Sequence, residues 1–335
     1  MSQHARPHLA TQIEAQPREL ERLLGEPLDD TAVARLRPAD RIWLVGTGTS
    51  HHAAELGALF LQAAGREAHA VGSMTFARWT PPLRARDAVV VISHNAGTET
   101  AYAGASWTLA TERGLTVVPV TRIGGELPDA VETVAKETSH TYTVSYTAAL
   151  LQLARLAHAL GADGFDPGTL ALVPDAVGDA IASPGTDELE MPSRLLVLGG
   201  AGPAGVTARE AALKVREASR FASEGYDAEL LLHGHAVPLN ADDHLVLLTP
   251  PDPDGLVDAI AAAAATETIP VTRLHEPASL PPLLAQIPLV VRTQVLALRF
   301  ALERGFDPDV AIERAWAAEE LWAIGSPPSR PAGAG

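Results

Sequence analysis

The sequence predicts an α/β protein built as two doubly wound halves, each a parallel sheet covered by helices on both faces. Three observations carry that prediction. Apolar runs of strand length alternate with longer helical patterns, which is the signature of right-handed βαβ units. A strand, a glycine turn and a helix beginning at Arg41 recur from Arg194. The tetrapeptide Pro-Val-Thr-Arg closes a strand-length run twice, at residues 119–122 and 270–273. Landmarks that recur in the same order mark an internal repeat.

Residues 1–35 predict an N-terminal helix, with Leu20, Leu23 and Leu24 at helical spacing after Gln16-Pro17. Residues 36–165 form the first half. It has a strand from Arg41, a second buried strand from Asp87, a third ending at Arg122, and a strand-like run near Tyr142 that feeds a long helix. Asp163, Pro167, Pro174, Pro184 and Gly185 make residues 161–192 the expected link between halves. Residues 190–305 repeat the pattern, with strands from Arg194 and Asp243, a third ending at Arg273, and a strand-like run from Pro288 before the last long helix. Residues 306–335 read as a C-terminal tail, which is Pro/Gly/Ala-rich and frayed from Ser326.

The 335 residues are 47% hydrophobic, enough for two ordinary cores. Lys+Arg 25 against Asp+Glu 41 gives a net charge of −16, so there is no sequence-wide basic surface to draw nucleic acid or a membrane. Small phosphorylated molecules remain open, because helix N-termini and hydroxyls hold a phosphate without lysine. No uninterrupted run of about 18 apolar residues occurs, and a cytoplasmic protein is expected. The absence of cysteine excludes disulfides, thiolate metal sites and a cysteine nucleophile.

In such sheets ligands bind at the carboxyl ends of the strands. Gly46-Thr47-Gly48-Thr49-Ser50 leaves a strand and enters a helix, as a phosphate site does, and it reads equally as a glycine turn with hydroxyl caps. Residues 93–100, which include Ser93, His94, Asn95 and Thr98, end the next strand, while Thr143, Ser145 and Thr147 open a helix of the same half. Three hydroxyl-rich turns at one sheet edge favour a phosphate cradle over three coincidental caps. In the second half the corresponding turn, residues 249–255, is acidic and proline-stiffened, which leaves one phosphate site per chain.

What the second half offers instead is Glu210, Lys214 and Glu217 on one helix, followed by His233 and His235. Glu and His are the usual pair for moving protons. Spacing alone favours a solvated salt-bridge face, with Glu210 and Lys214 four apart. Three other motifs are weaker. Residues 200–205 spell G-x-G-x-x-G, but the strand sought for its acidic partner ends in Thr249-Pro250, so no dinucleotide is expected. His51-His52 and His233-x-His235 lack further ligands for a metal. No G-x-S-x-G elbow exists.

Several stretches match one family. Residues 13–17 resemble its opening helix, Gly48-Thr49-Ser50 its first turn, and residues 93–100 its S-x-S-G-x-T phosphate loop. Gly200-Ala201-Gly202-Pro203, followed by residues 210–217, resembles G-x-G-P…E-x-A-L-K-x-x-E, and Leu232-His233-Gly234 resembles L-x-H-G-P. On these residues the chain resembles the sugar isomerase (SIS) family, in particular the tandem isomerase half of glutamine–fructose-6-phosphate amidotransferase and its stand-alone relatives. The resemblance implies two flavodoxin-like SIS domains in tandem and no cofactor. Gly48, Thr49, Ser50, Ser93, His94, Asn95, Thr98, Thr143 and Ser145 would hold a sugar phosphate. Glu217 would shuttle a proton between C1 and C2, Lys214 would steady the enediolate, and His233 would open the ring across the interface of a homodimer.

The departures are informative. The phosphate loop carries one extra residue, His235 replaces proline, and no lysine stands in residues 306–312, where the aminotransferases form a Schiff base. The expected activity is that of an aldose–ketose or aminosugar-phosphate isomerase or deaminase on a hexose phosphate, through an enediol or enolamine. The alternatives are a non-catalytic sugar-phosphate sensor, or a glucosamine-6-phosphate synthase-like aminotransferase without its glutaminase domain.

Overall fold

In the computed structural model, which describes residues 6–95, 101–251, 255–276 and 278–323, two parallel sheets are joined through packed helices. The chain opens with α1 (His8–Gly25) and α2 (Asp30–Leu36), so the expected N-terminal helix is two helices. Pro17 lies inside α1. Its missing amide would leave the Ile13 carbonyl bare, and the Gln16 side chain donates to that carbonyl instead, at 3.1 Å. Fully buried Gln16 also donates to Gln294 at 2.8 Å and accepts from Thr147 at 2.8 Å, so a single amide ties α1 to the helices of both halves.

The first sheet follows, with β1 (Arg41–Gly46), α3 (Thr49–Ala63), β2 (Glu67–Gly72), α4 (Ser73–Arg78), β3 (Asp87–Ile92), α5 (Ala101–Glu112), β4 (Thr116–Thr121), β5 (Val131–Glu132) and α6 (Val144–Ala159). Its order is β2-β1-β3-β4-β5, with every pairing parallel. Helices α7 (Pro167–Leu170) and α8 (Val173–Ala182) lead to β6 (Leu196–Gly200), α9 (Pro203–Ser219), β7 (Ser223–Asp227), α10 (Ala228–Leu230), β8 (His244–Thr249), α11 (Leu256–Thr266), β9 (Val271–His275) and α12 (Gln286–Arg304). The second sheet, β7-β6-β8-β9, repeats the parallel order of the first four strands.

The structure corrects the sequence reading at several elements. The strand from Asp87 is third in the chain, not second, because β2 and its counterpart β7 were missed. Both are edge strands of mixed polarity and partial exposure, without the apolar run that marks a buried strand. The run near Tyr142 is not a strand, and the run from Pro288 lies inside α12; the last strand of the first sheet is two-residue β5. The presumed link is helical. Val173 and Val177 of α8 share an apolar cluster with Leu44, Phe60 and Leu150 of the first half and Ile287 and Val290 of α12. Residues 306–323, the described part of the expected C-terminal tail, are ordered into short elements. They include a 3-10 turn, Arg314–Ala317, and α13 (Glu319–Ala323). Asp309 accepts hydrogen bonds from the His8 and Leu9 amides that open α1, at 2.7 and 2.8 Å. Next to it, Thr141 donates to the Pro308 carbonyl and the His140 amide to the Asp309 carbonyl.

The same backbone turn starts the first long helix of each half. Gly48 caps α3 at φ 54, ψ −125, and Gly202 caps α9 at φ 56, ψ −125. Only glycine takes that conformation at low cost. The strand also runs very close to the helix it feeds, since a Cβ on Gly46 would meet the Ser50 carbonyl at 2.2 Å.

Candidate functional site

A cavity of about 710 Å³ opens at the carboxyl edge of the first sheet. Its floor is the β1–α3 turn with Thr47, Gly48, Thr49 and Ser50, the end of β3 with Ser93, His94 and Asn95, and the first turns of α6 with Ser145 and Tyr146. One wall comes from the other half, since Leu213 and Glu217 project from α9, which packs on α3. Ala311, Ile312, Ala317 and Trp322 of the C-terminal segment form the roof. The cavity therefore gathers the hydroxyl-bearing turns of one half and a carboxylate of the other.

Most of the expected binding residues meet here, with individual corrections. Thr49 lines the cavity, but its hydroxyl donates to Glu210 at 3.1 Å. Asn95 donates to the Tyr142 hydroxyl at 2.8 Å. His94 accepts the Glu137 amide at Nε2, at 2.9 Å, so its ring hydrogen sits on Nδ1. Thr98 lies outside the described residues. Thr143 is fully buried and does not line the cavity. Its amide and that of Ser145 donate to Glu137, at 3.1 and 2.8 Å. Glu137 thus places an internal carboxylate at the N-terminus of α6, where a bound anion was expected. Burial pushes the Glu137 carboxyl above its ordinary value, against the hydrogen bonds from Ser145 and Thr143 and the nearby Lys214 charge.

The Glu210–Lys214–Glu217 helix face is not a solvated one. Lys214 and Glu210 have side chains 0% exposed, and Lys214 Nζ stands 2.6 Å from Glu217 and 3.5 Å from Glu210. Burial alone would lower the Lys214 pKa, but the charges of Glu217 and Glu210 outweigh it and hold the ammonium above the ordinary lysine range. Burial pushes Glu217 up, while Lys214 draws it down without cancelling the rise. A carboxyl raised in this way, with an ammonium on one oxygen and a cavity in front of it, suits a general base that must also release its proton.

His233 does not line the cavity. It is exposed on an irregular turn, Leu231–His235, where Gly234 takes φ 117. His235 stacks on Tyr226, with ring centroids 4.2 Å apart. The acidic residue sought for the G-x-G-x-x-G motif belongs at the end of β7, which the sequence reading had missed, and that strand ends in Asp227. This carboxylate is already engaged, accepting the Glu229 amide at 3.0 Å and standing 2.6 Å from where a Cβ on Gly205 would lie. Among the described residues no cluster of three or more His, Asp or Glu could hold a metal. Sequence reasoning also missed Glu137, Tyr142, Tyr146 and Trp322 as cavity neighbours. No motif announces them, because the α6 turn and the C-terminal roof bring them in.

Comparison with known proteins places this geometry. Residues 35–159 match the family model of the SIS domain. The chain thus carries an SIS domain, and the second sheet lies outside that match. Curated relatives are glutamine–fructose-6-phosphate aminotransferases. The enzyme of Streptococcus pneumoniae is 26% identical over 354 residues, which cover 90% of this chain and 56% of the relative. That of Aeropyrum pernix is 29% identical over 346 residues, with the same coverage. The chain therefore spans about half the length of the curated relatives it matches. The C-terminal domain of glucosamine-fructose-6-phosphate aminotransferase from Francisella tularensis has the same fold, with TM-score 0.76 at 17% identity, covering 91% of this chain and 99% of that one. Glucosamine-6-phosphate deaminase from Thermotoga maritima superposes with TM-score 0.74 at 18% identity, covering 90% and 96%. Tagatose-6-phosphate ketose/aldose isomerase from Escherichia coli does so with TM-score 0.73 at 17% identity, covering 93% and 97%.

Proposed function

We propose that the chain is a phosphosugar isomerase or deaminase acting on a hexose phosphate by proton transfer between neighbouring carbons, followed, for an aminosugar, by hydrolysis of the resulting imine with water and release of ammonia. The observation that carries this reading is the position of Glu217, which reaches from the second half into a cavity floored by the hydroxyl-bearing turns of the first. The phosphate would lie against Ser50, Ser93 and the β1–α3 turn, which places the sugar chain between the two halves. Glu217 takes a proton from carbon and returns it to the adjacent carbon, while the Lys214 ammonium, expected to steady the enediolate but fully buried behind Glu217 and absent from the cavity lining, balances the charge on that carboxylate. The names of the aminotransferase, deaminase and isomerase relatives agree with this reaction class.

His233 enters this scheme from a second copy of the chain. It is exposed, away from its own cavity, on a turn flanked by Leu230 and Leu232, which are 50% and 55% exposed, and near Val237, which is 84% exposed. Apolar side chains held at a surface in this way suit an isologous contact, in which each protomer would lend its histidine to the other.

Thermal shift with fructose 6-phosphate, tagatose 6-phosphate, glucosamine 6-phosphate and the unphosphorylated sugars identifies the ligand, since binding to the native state alone raises Tm. Proton NMR in deuterium oxide then follows exchange at C2. Glu217→Gln is expected to slow exchange at least about 100-fold and leave affinity within a few fold. A wild-type protein that binds a sugar phosphate and exchanges nothing is a sensor, not an enzyme.

A further inference from the structure

Glu217 is the end of a buried chain of charges. Lys214 serves two carboxylates on its own helix, Glu217 at 2.6 Å and Glu210 at 3.5 Å. Glu210 is held from the opposite side by α3, where His52 Nδ1 lies 2.6 Å from one carboxylate oxygen and Thr49 donates to the other at 3.1 Å. The sequence His52, Glu210, Lys214, Glu217 thus crosses the interface between the halves and ends in the cavity. Its two central members are fully buried, where little solvent screens one charge from the next. We propose that His52 is a positioning residue that acts on Glu217 through two others: by holding Glu210, it keeps the Lys214 ammonium on Glu217.

The argument is a competition for one ammonium. Without its imidazole partner, Glu210 would draw Lys214 across the distance at which it now stands off, and Glu217 would keep less positive charge beside it. Lys214 is the main influence opposing the burial that pushes Glu217 up, with Glu210 acting upward and His52 downward. The other charged and titratable groups around this chain are His51 and Glu55 on α3, Arg209 on α9, Tyr146 on α6, and Glu137 ahead of α6. Arg209 is engaged by Glu55 at 2.7 Å, and Glu137 by the α6 amides. Among the described residues none of the five hydrogen-bonds to Glu210 or Glu217, which leaves His52 as the imidazole that acts on the chain. The inference depends on the proposed function only for its effect on rate; the positioning itself is a property of the folded protein.

The test is a carbon-13 NMR titration of glutamate carboxyls in the full chain, with the Glu217 signal assigned by its loss in Glu217→Gln, run beside the pH dependence of kcat/KM for exchange. In His52→Leu the Glu217 midpoint is expected to rise by about 0.5 to 1 pH unit, and the acid limb of kcat/KM with it, a roughly 3- to 10-fold loss on the acid side. Glu210→Gln is expected to lower the midpoint, because Lys214 then faces a single carboxylate. Loosened packing does not give opposite signs at two touching residues. Glu55→Gln, which breaks the neighbouring pair with Arg209 across the same interface, is expected to leave the midpoint in place. His52→Asn, which is smaller but keeps a hydrogen-bond donor, is expected to raise the midpoint by less, and supplies the comparison if the leucine variant does not fold. A midpoint unmoved or lowered in a folded His52 variant overturns the proposal. A raised midpoint in a protein that exchanges no sugar proton leaves the positioning role standing and overturns the isomerase reading.

Discussion

Lysine occurs at only two positions, Lys136 and Lys214, and the surroundings of Lys214 decide what chemistry it can do. Raised in pKa between Glu217 and Glu210, it stays an ammonium and has no lone pair to offer a carbonyl carbon. Ile312 lies in the cavity roof, within residues 306–312, the stretch to which the family resemblance assigns a Schiff-base lysine. Borohydride reduction in the presence of fructose 6-phosphate is therefore expected to leave the intact mass unchanged, and a reduced sugar adduct on Lys214 would show imine chemistry instead. At this scale, of the residues read from motifs, the glycine turn, Ser93 and Glu217 line the cavity, and Lys214 is buried against Glu217. The sequence did not disclose Glu137 or His52. The role of each comes from a hydrogen bond to a residue distant in the chain or to a helix end that no fixed spacing marks, and a single polar residue in a helix or loop carries no such information.

The strands of the first sheet are pinned at the end opposite the cavity. Arg41 opens β1 and donates to Asp87, which opens β3, at 2.6 Å, and the Trp43 indole donates to the same carboxylate at 3.0 Å. Burial would raise the Asp87 carboxyl, but hydrogen bonds from Arg41, the Arg84 amide and Trp43 outweigh it and hold it below the ordinary aspartate value. A carboxyl lowered in the fold stabilises the protein above its unfolded pKa, and this contribution is lost as pH falls through the folded value. Asp87→Asn is expected to cost about 3–5 kcal/mol near neutrality by leaving Arg41 buried without its charge partner, and to flatten the loss of stability below about pH 4. Urea denaturation at a series of pH values reads both effects. Elements with a strong apolar pattern, such as β1, β3, β6 and β8, were visible in the sequence. Edge strands β2 and β7 were not, because one side of such a strand meets solvent and its composition approaches that of a loop.

At the scale of the whole molecule, each half supplies what the other lacks, the turns from one and a carboxylate, the proposed base, from the other, and the proposed dimer adds a histidine. Glu217→Gln and His233→Ala homodimers should each be inactive. Mixed, unfolded and refolded together, they should regain about a quarter of wild-type exchange, since half the dimers are mixed and each mixed dimer carries one intact site of two. Recovery of no activity would place His233 outside the site. The double-sheet plan was legible from the recurrence at Arg41 and Arg194. The joining of the halves through α8, α12 and Gln16 was not, because it rests on contacts between side chains far apart in the sequence. One contact in that joining has a consequence in time as well as in energy. Asp309 fastens the segment that leads into the roof of the cavity to the first amides of α1. A guest that entered beneath the roof would pass that fastening on its way in and again on its way out. Weakening it would quicken arrival and departure together and leave their ratio alone, so the clasp between α1 and the roof segment would govern how long a molecule stays, while the floor beneath governs how much of it is held.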